Sequence, residues 1–178
     1  MRVVRAWPVA YVPEHRPRVL DGWPRIPVDN YDYRGLADLG DVITLDWDQA
    51  IDLADLRAFA GRAAAHPDDV LIAPTRIYMD GDAVFPGGPV WNVKRYAPGM
   101  TTLRWMEEGE PSAHLFGFGM VYLPHALIKR FTAERPGAAM DDTSFSTWHH
   151  LEVRAEARVD WATRPVHLHY PVPEGGLL

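Results

Sequence analysis

The pattern of apolar positions predicts a strand, a helix and a second strand in the first half of the chain. Residues 42–45 form a short β-branched run, which is typical of a strand buried on both faces. After Asp52, which suits the first turn of a helix, apolar side chains recur at helical spacing at Leu53, Leu56, Phe59, Ala60 and Ala63. Residues 70–74 form another apolar run. We expect the two strands to be parallel neighbours joined by the crossover helix.

Shorter elements are predicted elsewhere. The first forty residues contain five prolines, which exclude long helices, so short strands are expected at 3–12 and 25–29. The remaining predicted elements are a loop-rich segment at 78–99 with an edge strand at 90–93, an apolar stretch with two glycines at 114–123, a helix from Pro124, a surface helix at 149–157, and a strand at 165–171.

Composition narrows the class of protein. The chain has 178 residues, 47% hydrophobic and 24% charged, which predicts one globular domain. Its net charge of −6 argues against a nucleic-acid partner, and the absence of cysteine excludes disulfides and thiolate chemistry. We find neither an apolar run long enough for a transmembrane segment nor a signal peptide, so a cytoplasmic protein is expected. Seven Trp and seven Tyr suit a core or stacking on sugars and bases.

Two carboxylates, Asp46 and Asp48, follow the first buried strand directly. Ligands in open α/β sheets bind outside the carboxyl ends of the strands. Two oxygen donors at this spacing suit a divalent cation that also holds phosphate. The alternative is that one of these residues caps the following helix, because Asp is a favoured N-cap residue.

Three further groups carry candidate chemistry. Asp141 and Asp142 precede a predicted helix, where they are either caps or a general base. His167 and His169 share one face of the predicted last strand, where they are either metal ligands or polar residues on an exposed face. Asp29 follows a predicted strand, where it either forms a turn or contacts the base or ribose of a nucleotide.

In order and spacing, these motifs resemble small GT-A fold glycosyltransferases of the family 2 type, over roughly residues 40 to 171. The run 45–48 resembles the strand that ends in the family's Asp-x-Asp, and residues 52–74 resemble the helix and strand that follow it. The Gly-containing stretch 117–124 is similar to the segment that lines the acceptor side. The run 141–145 resembles the acidic pair that supplies the base, and 166–169 the late histidine of some metal sites.

The resemblance implies an α/β fold, a single GT-A-like, Rossmann-related domain whose mixed sheet is flanked by helices. Residues 1–40 would form a shortened, proline-rich nucleotide-binding part, 41–171 the Asp-x-Asp and acceptor part, and 172–178 a tail. It also implies a transferase that moves a sugar from a UDP- or GDP-sugar to a carbohydrate or protein acceptor. The Gln-x-x-Arg-Trp motif of processive members is absent, so a polymerising synthase is not expected.

The resemblance also assigns roles at the donor side. Asp48 would bind Mn²⁺ or Mg²⁺, which neutralises the diphosphate leaving group. Asp46 would contact the ribose or the metal, and His169 or His167 would be a further metal ligand. Asp29 would stand in for the acid that holds the base and ribose.

At the acceptor side, Asp142, or less favourably Asp141, would deprotonate the acceptor hydroxyl, so that the sugar is transferred by direct displacement with inversion. Gly117, Gly119 and Trp148 would shape the acceptor pocket. Two other functions fit the same residues: a catalytically inactive relic of this fold that binds a carbohydrate or a protein, and a metal-dependent phosphoesterase. A homo-oligomer is compatible with the sequence.

Overall fold

The structure is a computed structural model, and it describes residues 1–8, 25–28, 32–46, 49–77 and 90–167. Within these residues the protein is a mixed α/β fold with one main sheet and helices on both of its faces. The helices are α1 (Leu53–Ala64), α2 (His125–Glu134), α3 (Asp142–Leu151) and a short 3₁₀ helix (Arg34–Asp38). No helix of the described residues is long and apolar enough to cross a membrane.

The strands are short, and many have only two residues. In chain order they are β1 (Arg2–Pro8), β2 (Arg25–Val28), β3 (Val42–Asp46), β4 (Gln49–Ala50), β5 (Leu71–Ile72), β6 (Arg76–Ile77), β7 (Val90–Trp91), β8 (Val93–Tyr96), β9 (Leu103–Trp105), β10 (Ser112–Ala113), β11 (Leu115–Phe116), β12 (Met120–Leu123), β13 (Ala157–Val159) and β14 (Val166–His167).

Among the described residues, the main sheet has seven strands in the order β10–β13–β5–β12–β3–β1–β2. Strands β1, β2, β3, β5 and β13 run in one direction, and β12 and β10 run in the other. The predicted β3–α1–β5 unit therefore exists, but the prediction that its strands are neighbours is wrong. Strand β12 lies between them and pairs with both, because its four residues are buried and find hydrogen bonds on either side.

Strand β3 is buried on both faces, as its sequence predicts. Ile43 and Leu45 face α1, whose buried side chains include Phe59, and Val42 belongs to the core on the opposite face with α2 and α3. The polar Thr44 is tolerated because its hydroxyl donates to the carbonyl of Phe118 at 2.9 Å.

Helix α1 begins where its sequence predicts. The Asp52 carboxylate accepts a hydrogen bond from the amide of Ala54 and so caps the helix. The prediction of a surface helix at 149–157 is wrong. Helix α3 ends at Leu151, and the chain then enters β13, where Ala157 is buried and pairs with β10. Pairing within the sheet outweighs the helical pattern there.

In the part of the chain that the structure describes, three smaller sheets accompany the main one. Strands β11, β8 and β9 form an antiparallel sheet next to α3. Strand β14 pairs with β4, and β6 pairs with β7. All three small sheets border the candidate site, the last of them through Ile77 of β6.

Candidate active site

The chain reverses its direction of travel across the main sheet at β1. It passes from β1 to β2 on one side and then to β3 on the other, so the carboxyl ends of β1 and β3 meet at a topological switch point. Ligands of open α/β sheets bind at such a crevice. Asp46 is the last residue of β3 and lies opposite Ala6 of β1. Asp46 therefore lies at the carboxyl end of its strand, as its sequence predicts, and a ligand at this point stays a prediction.

Asp46 is held from two sides. Its amide donates to the carbonyl of Gly119 at 2.8 Å, and its Oδ1 accepts a hydrogen bond from the Tyr33 hydroxyl at 3.0 Å. The amide of the buried Tyr33 donates to the carbonyl of Met140 at 3.0 Å, and its ring packs edge-on against Phe118. Tyr33 thus connects Asp46 to the chain immediately before α3.

Two adjacent acids begin α3, and their surroundings differ. Asp141 is the N-cap: Oδ1 accepts from the Ser144 amide and Oδ2 from the Ser144 hydroxyl, both at 2.7 Å. The contacts match the capping alternative for this residue. Asp142 is the first residue of the helix, and its Oδ1 accepts from the amide and the hydroxyl of Thr143.

The pKa of the half-buried Asp142 is raised from the ordinary value, mainly because burial disfavours the charged form. The negative charge of Asp141 adds to the increase, and the hydrogen bonds from Thr143 oppose it. No described residue donates a hydrogen bond to Asp142 Oδ2. This oxygen therefore keeps its capacity to accept a proton from a bound molecule.

Gly117 lies directly beside this oxygen. A Cβ at this position would be 3.6 Å from Asp142 Oδ2 and 3.3 Å from Asn92 Nδ2. Asn92 is itself fixed, because its Oδ1 accepts from the Thr75 amide and its carbonyl accepts from the Gly117 amide. The absence of a side chain at residue 117 keeps the carboxylate and the amide open to the same small space.

Gly119 makes room for a buried glutamine. A Cβ there would be 2.1 Å from Nε2 of Gln49, whose side chain is 1% exposed and donates to the Thr75 hydroxyl at 3.3 Å. Gln49 belongs to β4, and its register partner in β14 is His167. The strand pairing therefore brings the late histidine segment next to the segment that follows Asp46.

The predicted metal and donor residues are only partly covered. Asp29, Asp48 and His169 lie outside the described residues, and of His167 the structure describes the backbone alone. Among the described residues, no group of three or more His, Asp or Glu side chains could hold a metal ion. The Mn²⁺ or Mg²⁺ site therefore stays a prediction.

A pocket of about 190 Å³ lies between α3 and the small sheet of β11, β8 and β9. Its lining includes Asn92, Gly117, Asp142, Lys94 and Trp105, with hydroxyl groups from Thr143 and Ser146.

Trp148, which the resemblance places at the acceptor pocket, does not belong to this lining. It lies in the core between α2 and α3. There its indole donates to Glu134, and its ring packs against Phe131 and Phe145.

Sequence reasoning missed five residues of this region: Tyr33, Gln49, Asn92, Lys94 and Trp105. For Tyr33 the signal is its position: it follows the candidate Asp29 in a run of acidic and aromatic residues after a predicted strand. Asn92 interrupts an apolar run, which is a signal for a buried, hydrogen-bonded amide. Nothing in the sequence pairs Lys94 with Trp105, because they meet through strand register.

Comparisons with known proteins show the fold but no family. No family model matches the chain, and no curated protein matches it. Among solved structures, the chain is similar to A197 from STIV, with a TM-score of 0.59 and 12% sequence identity over 95% of this chain and 86% of that one. The likeness concerns the overall mixed α/β architecture.

Proposed function

We propose that this protein is a glycosyltransferase that moves a sugar from a UDP- or GDP-sugar to a hydroxyl acceptor, by direct displacement with inversion. The observation that carries the proposal is the position of Asp142. Its Oδ2 lies beside Gly117 and borders a small pocket. Gly119, two residues after Gly117 in the chain, accepts a hydrogen bond through its carbonyl from the amide of Asp46 at the switch point. This connection supports a site in which Asp142 would accept the proton and the crevice at the carboxyl ends of β1 and β3 would hold the donor.

The donor would occupy the crevice at the carboxyl ends of β1 and β3. Asp46 supplies a carboxylate there, and the pairing of Gln49 with His167 supports a shared site for Asp46, Asp48 and His167 or His169. Carboxylate oxygens and imidazole nitrogens are suitable ligands for Mn²⁺, and the carboxylates also for Mg²⁺. Such a cation, when bound, would offset the charge of the diphosphate. Asp29 is proposed to contact the base and ribose.

Asp142 would act on the acceptor. The acceptor oxygen forms a bond to the anomeric carbon, the bond from that carbon to the diphosphate oxygen breaks, and the hydroxyl proton passes to Asp142 Oδ2. The nucleoside diphosphate, UDP or GDP, leaves with the electron pair of the broken bond. Because burial raises the pKa of Asp142, the carboxylate holds this proton more readily than an exposed one would.

The experiment that tests the proposal is a screen of UDP- and GDP-sugars with and without Mn²⁺, read as a rise in Tm and as release of UDP or GDP. We expect metal-dependent stabilisation by at least one nucleotide sugar, with nucleotide release. If no nucleotide sugar of the panel binds or is cleaved, the proposal is wrong.

A second candidate is a non-catalytic relic of the same fold that binds carbohydrate or protein. It is favoured by the structural use of the acids: Asp46 Oδ1 is bonded to Tyr33, and both oxygens of Asp141 cap α3. Isothermal titration of UDP and GDP with Mn²⁺ separates the two functions. Metal-dependent binding supports the transferase, and binding of sugars without any nucleotide affinity supports the relic.

A further inference from the structure

The pocket at Asp142 has a second wall, which contains the positively charged side chain of Lys94. In the small sheet, Leu115 lies opposite Lys94, and Lys94 lies opposite Trp105. Residues in register share one face of a sheet, and all three line the pocket. Helix α3 supplies the other wall with Asp142 and Ser146. A carboxylate and an ammonium group therefore border the same small space from different elements.

The side chain of Lys94 is positioned by an aromatic ring. Its Nζ lies 3.9 Å from the centre of the Trp105 ring, and no carboxylate of a described residue lies within 4.0 Å of it. Its neighbour Arg95, by contrast, is 3.6 Å from Glu110. In a protein of net charge −6, a half-buried lysine that borders a pocket and has no carboxylate of a described residue within 4.0 Å favours an anionic ligand.

The size and chemistry of the pocket limit what that ligand is. A volume of about 190 Å³ is below the ~300 Å³ at which pockets for drug-sized ligands begin, so a single ring fits better than an extended chain. Trp105 adds an aromatic ring to the lining, and sugars commonly pack against such rings. Asp142 Oδ2 accepts a hydrogen bond from a donor such as a hydroxyl, whereas the Lys94 ammonium donates and pairs most strongly with a negatively charged acceptor.

We propose that the pocket binds an anionic monosaccharide unit, a sugar that carries a carboxylate or a phosphate group. Lys94 pairs with the anionic group, and a hydroxyl of the same ring faces Asp142. This assignment rests on the proposed function for its role as acceptor, but the binding itself requires neither nucleotide nor metal.

The test uses the intact chain without nucleotide or metal, and three probes: glucuronate, glucose 6-phosphate and uncharged glucose. Binding is followed by NMR at the tryptophan indole signals, with Trp105→Phe to assign the signal of Trp105. We expect glucuronate, glucose 6-phosphate or both to shift the Trp105 signal at about tenfold lower concentration than glucose, because bonds to a charged group are stronger. Which anionic probe binds identifies the group as carboxylate or phosphate.

The chain has two lysines, Lys94 and the exposed Lys129, so a matched control exists. Lys94→Met should lower the affinity for the anionic probes about tenfold. Lys94→Arg and Lys129→Met should keep this affinity. The proposal is overturned if glucose binds the wild-type protein as well as the anionic probes do, if no probe binds, or if a folded Lys94→Met variant binds as the wild type does. Anion binding without nucleotide release would refute the proposed function and leave this site standing.

Discussion

The two ends of α3 carry titratable groups that burial shifts toward their neutral forms, but the two ends face different surroundings. At the start of the helix, burial raises the pKa of Asp142, whose Oδ2 borders a pocket. Near its end, burial lowers the pKa of His149 to about 4 and also lowers that of His150. His149 stacks on Phe145, and its Nδ1 has no hydrogen-bond partner among the described residues.

A shifted pKa alone does not indicate a catalytic group, because both ends of α3 have one. Burial favours the neutral form at both ends of the helix, so it raises the pKa of the acid and lowers the pKa of the histidines. What differs is access: Asp142 faces a small space kept open by Gly117, whereas His149 is 2% exposed and surrounded by aromatic rings. We therefore expect changes at the first end to alter turnover and changes at the second end to alter stability.

The largest expected effect is at the pocket end. Asp142→Asn removes the proposed proton acceptor while keeping the shape of the side chain, so nucleotide release should fall by about 10²- to 10⁴-fold. Affinity for UDP or GDP with Mn²⁺ should remain. Asp52→Asn makes the same substitution at the start of α1 and should leave turnover unchanged. Full activity of Asp142→Asn would show that the base is another group.

The core end should respond in stability. Unfolding frees His149 to take up a proton near pH 6.5, while in the folded protein it protonates near pH 4. The unfolded state thus binds more protons between these values, and stability falls as pH decreases from about 6.5 to about 4, by on the order of 3 kcal/mol.

His149→Leu, which cannot titrate, should flatten this part of the curve in urea unfolding measured at each pH. Phe145→Leu is a packing control that should lower stability at every pH and keep the slope. An unchanged slope in His149→Leu would contradict the assignment.

A smaller effect should separate access from packing at the two glycines. Gly119→Ala places a methyl group on the buried Gln49 and should cost about 1–3 kcal/mol of stability. A Cβ at residue 117 would lie 3.3 Å from Asn92 Nδ2 and 3.6 Å from Asp142 Oδ2, a closeness that a small shift relieves. Gly117→Ala should therefore lose less stability than Gly119→Ala, and it should lower turnover because it fills the space beside Asp142. Urea unfolding and nucleotide release measured on both variants test this contrast. Equal losses of stability would show that the space at Gly117 is a packing requirement.

The smallest effect concerns the link between Asp46 and the start of α3. Tyr33→Phe removes the hydroxyl that donates to Asp46 Oδ1 and keeps the ring that packs on Phe118. We expect a loss of about 0.5–1.5 kcal/mol in thermal or urea unfolding, as for a single hydrogen bond. Tyr122→Phe is a comparable control away from the site, because its hydroxyl donates to the Pro67 carbonyl. A stability unchanged in Tyr33→Phe alone would weaken the proposed link.

Local patterns predicted the parts of this structure that depend on neighbouring residues. The buried run of β3, the capped start of α1 and the acids that begin α3 are all local features. The insertion of β12 between β3 and β5 was missed because β12 is distant in sequence: Val121 pairs with both Ile72 and Thr44.

The same limit applies to the candidate site. Residues around Asp46 and Asp142 were predicted from motifs, but their connection through Tyr33 and Gly119 is a tertiary contact. Lys94 and Trp105 meet only through the register of a small sheet, and His149 is buried although it lies in a polar stretch of sequence. Periodicity does not encode such contacts.

The pH dependence of kcat/KM in the wild type and in Asp141→Asn tests the central assignment most directly. Asparagine also caps helices, so the variant should fold. It removes the negative charge of Asp141, which adds to the increase that burial causes in the pKa of Asp142. Since Asp142 must be ionised to accept a proton, activity should rise with pH through its pKa, and in Asp141→Asn this rise should move to lower pH. Loss of activity in Asp141→Asn, or a rise that does not move, would contradict Asp142 as the base.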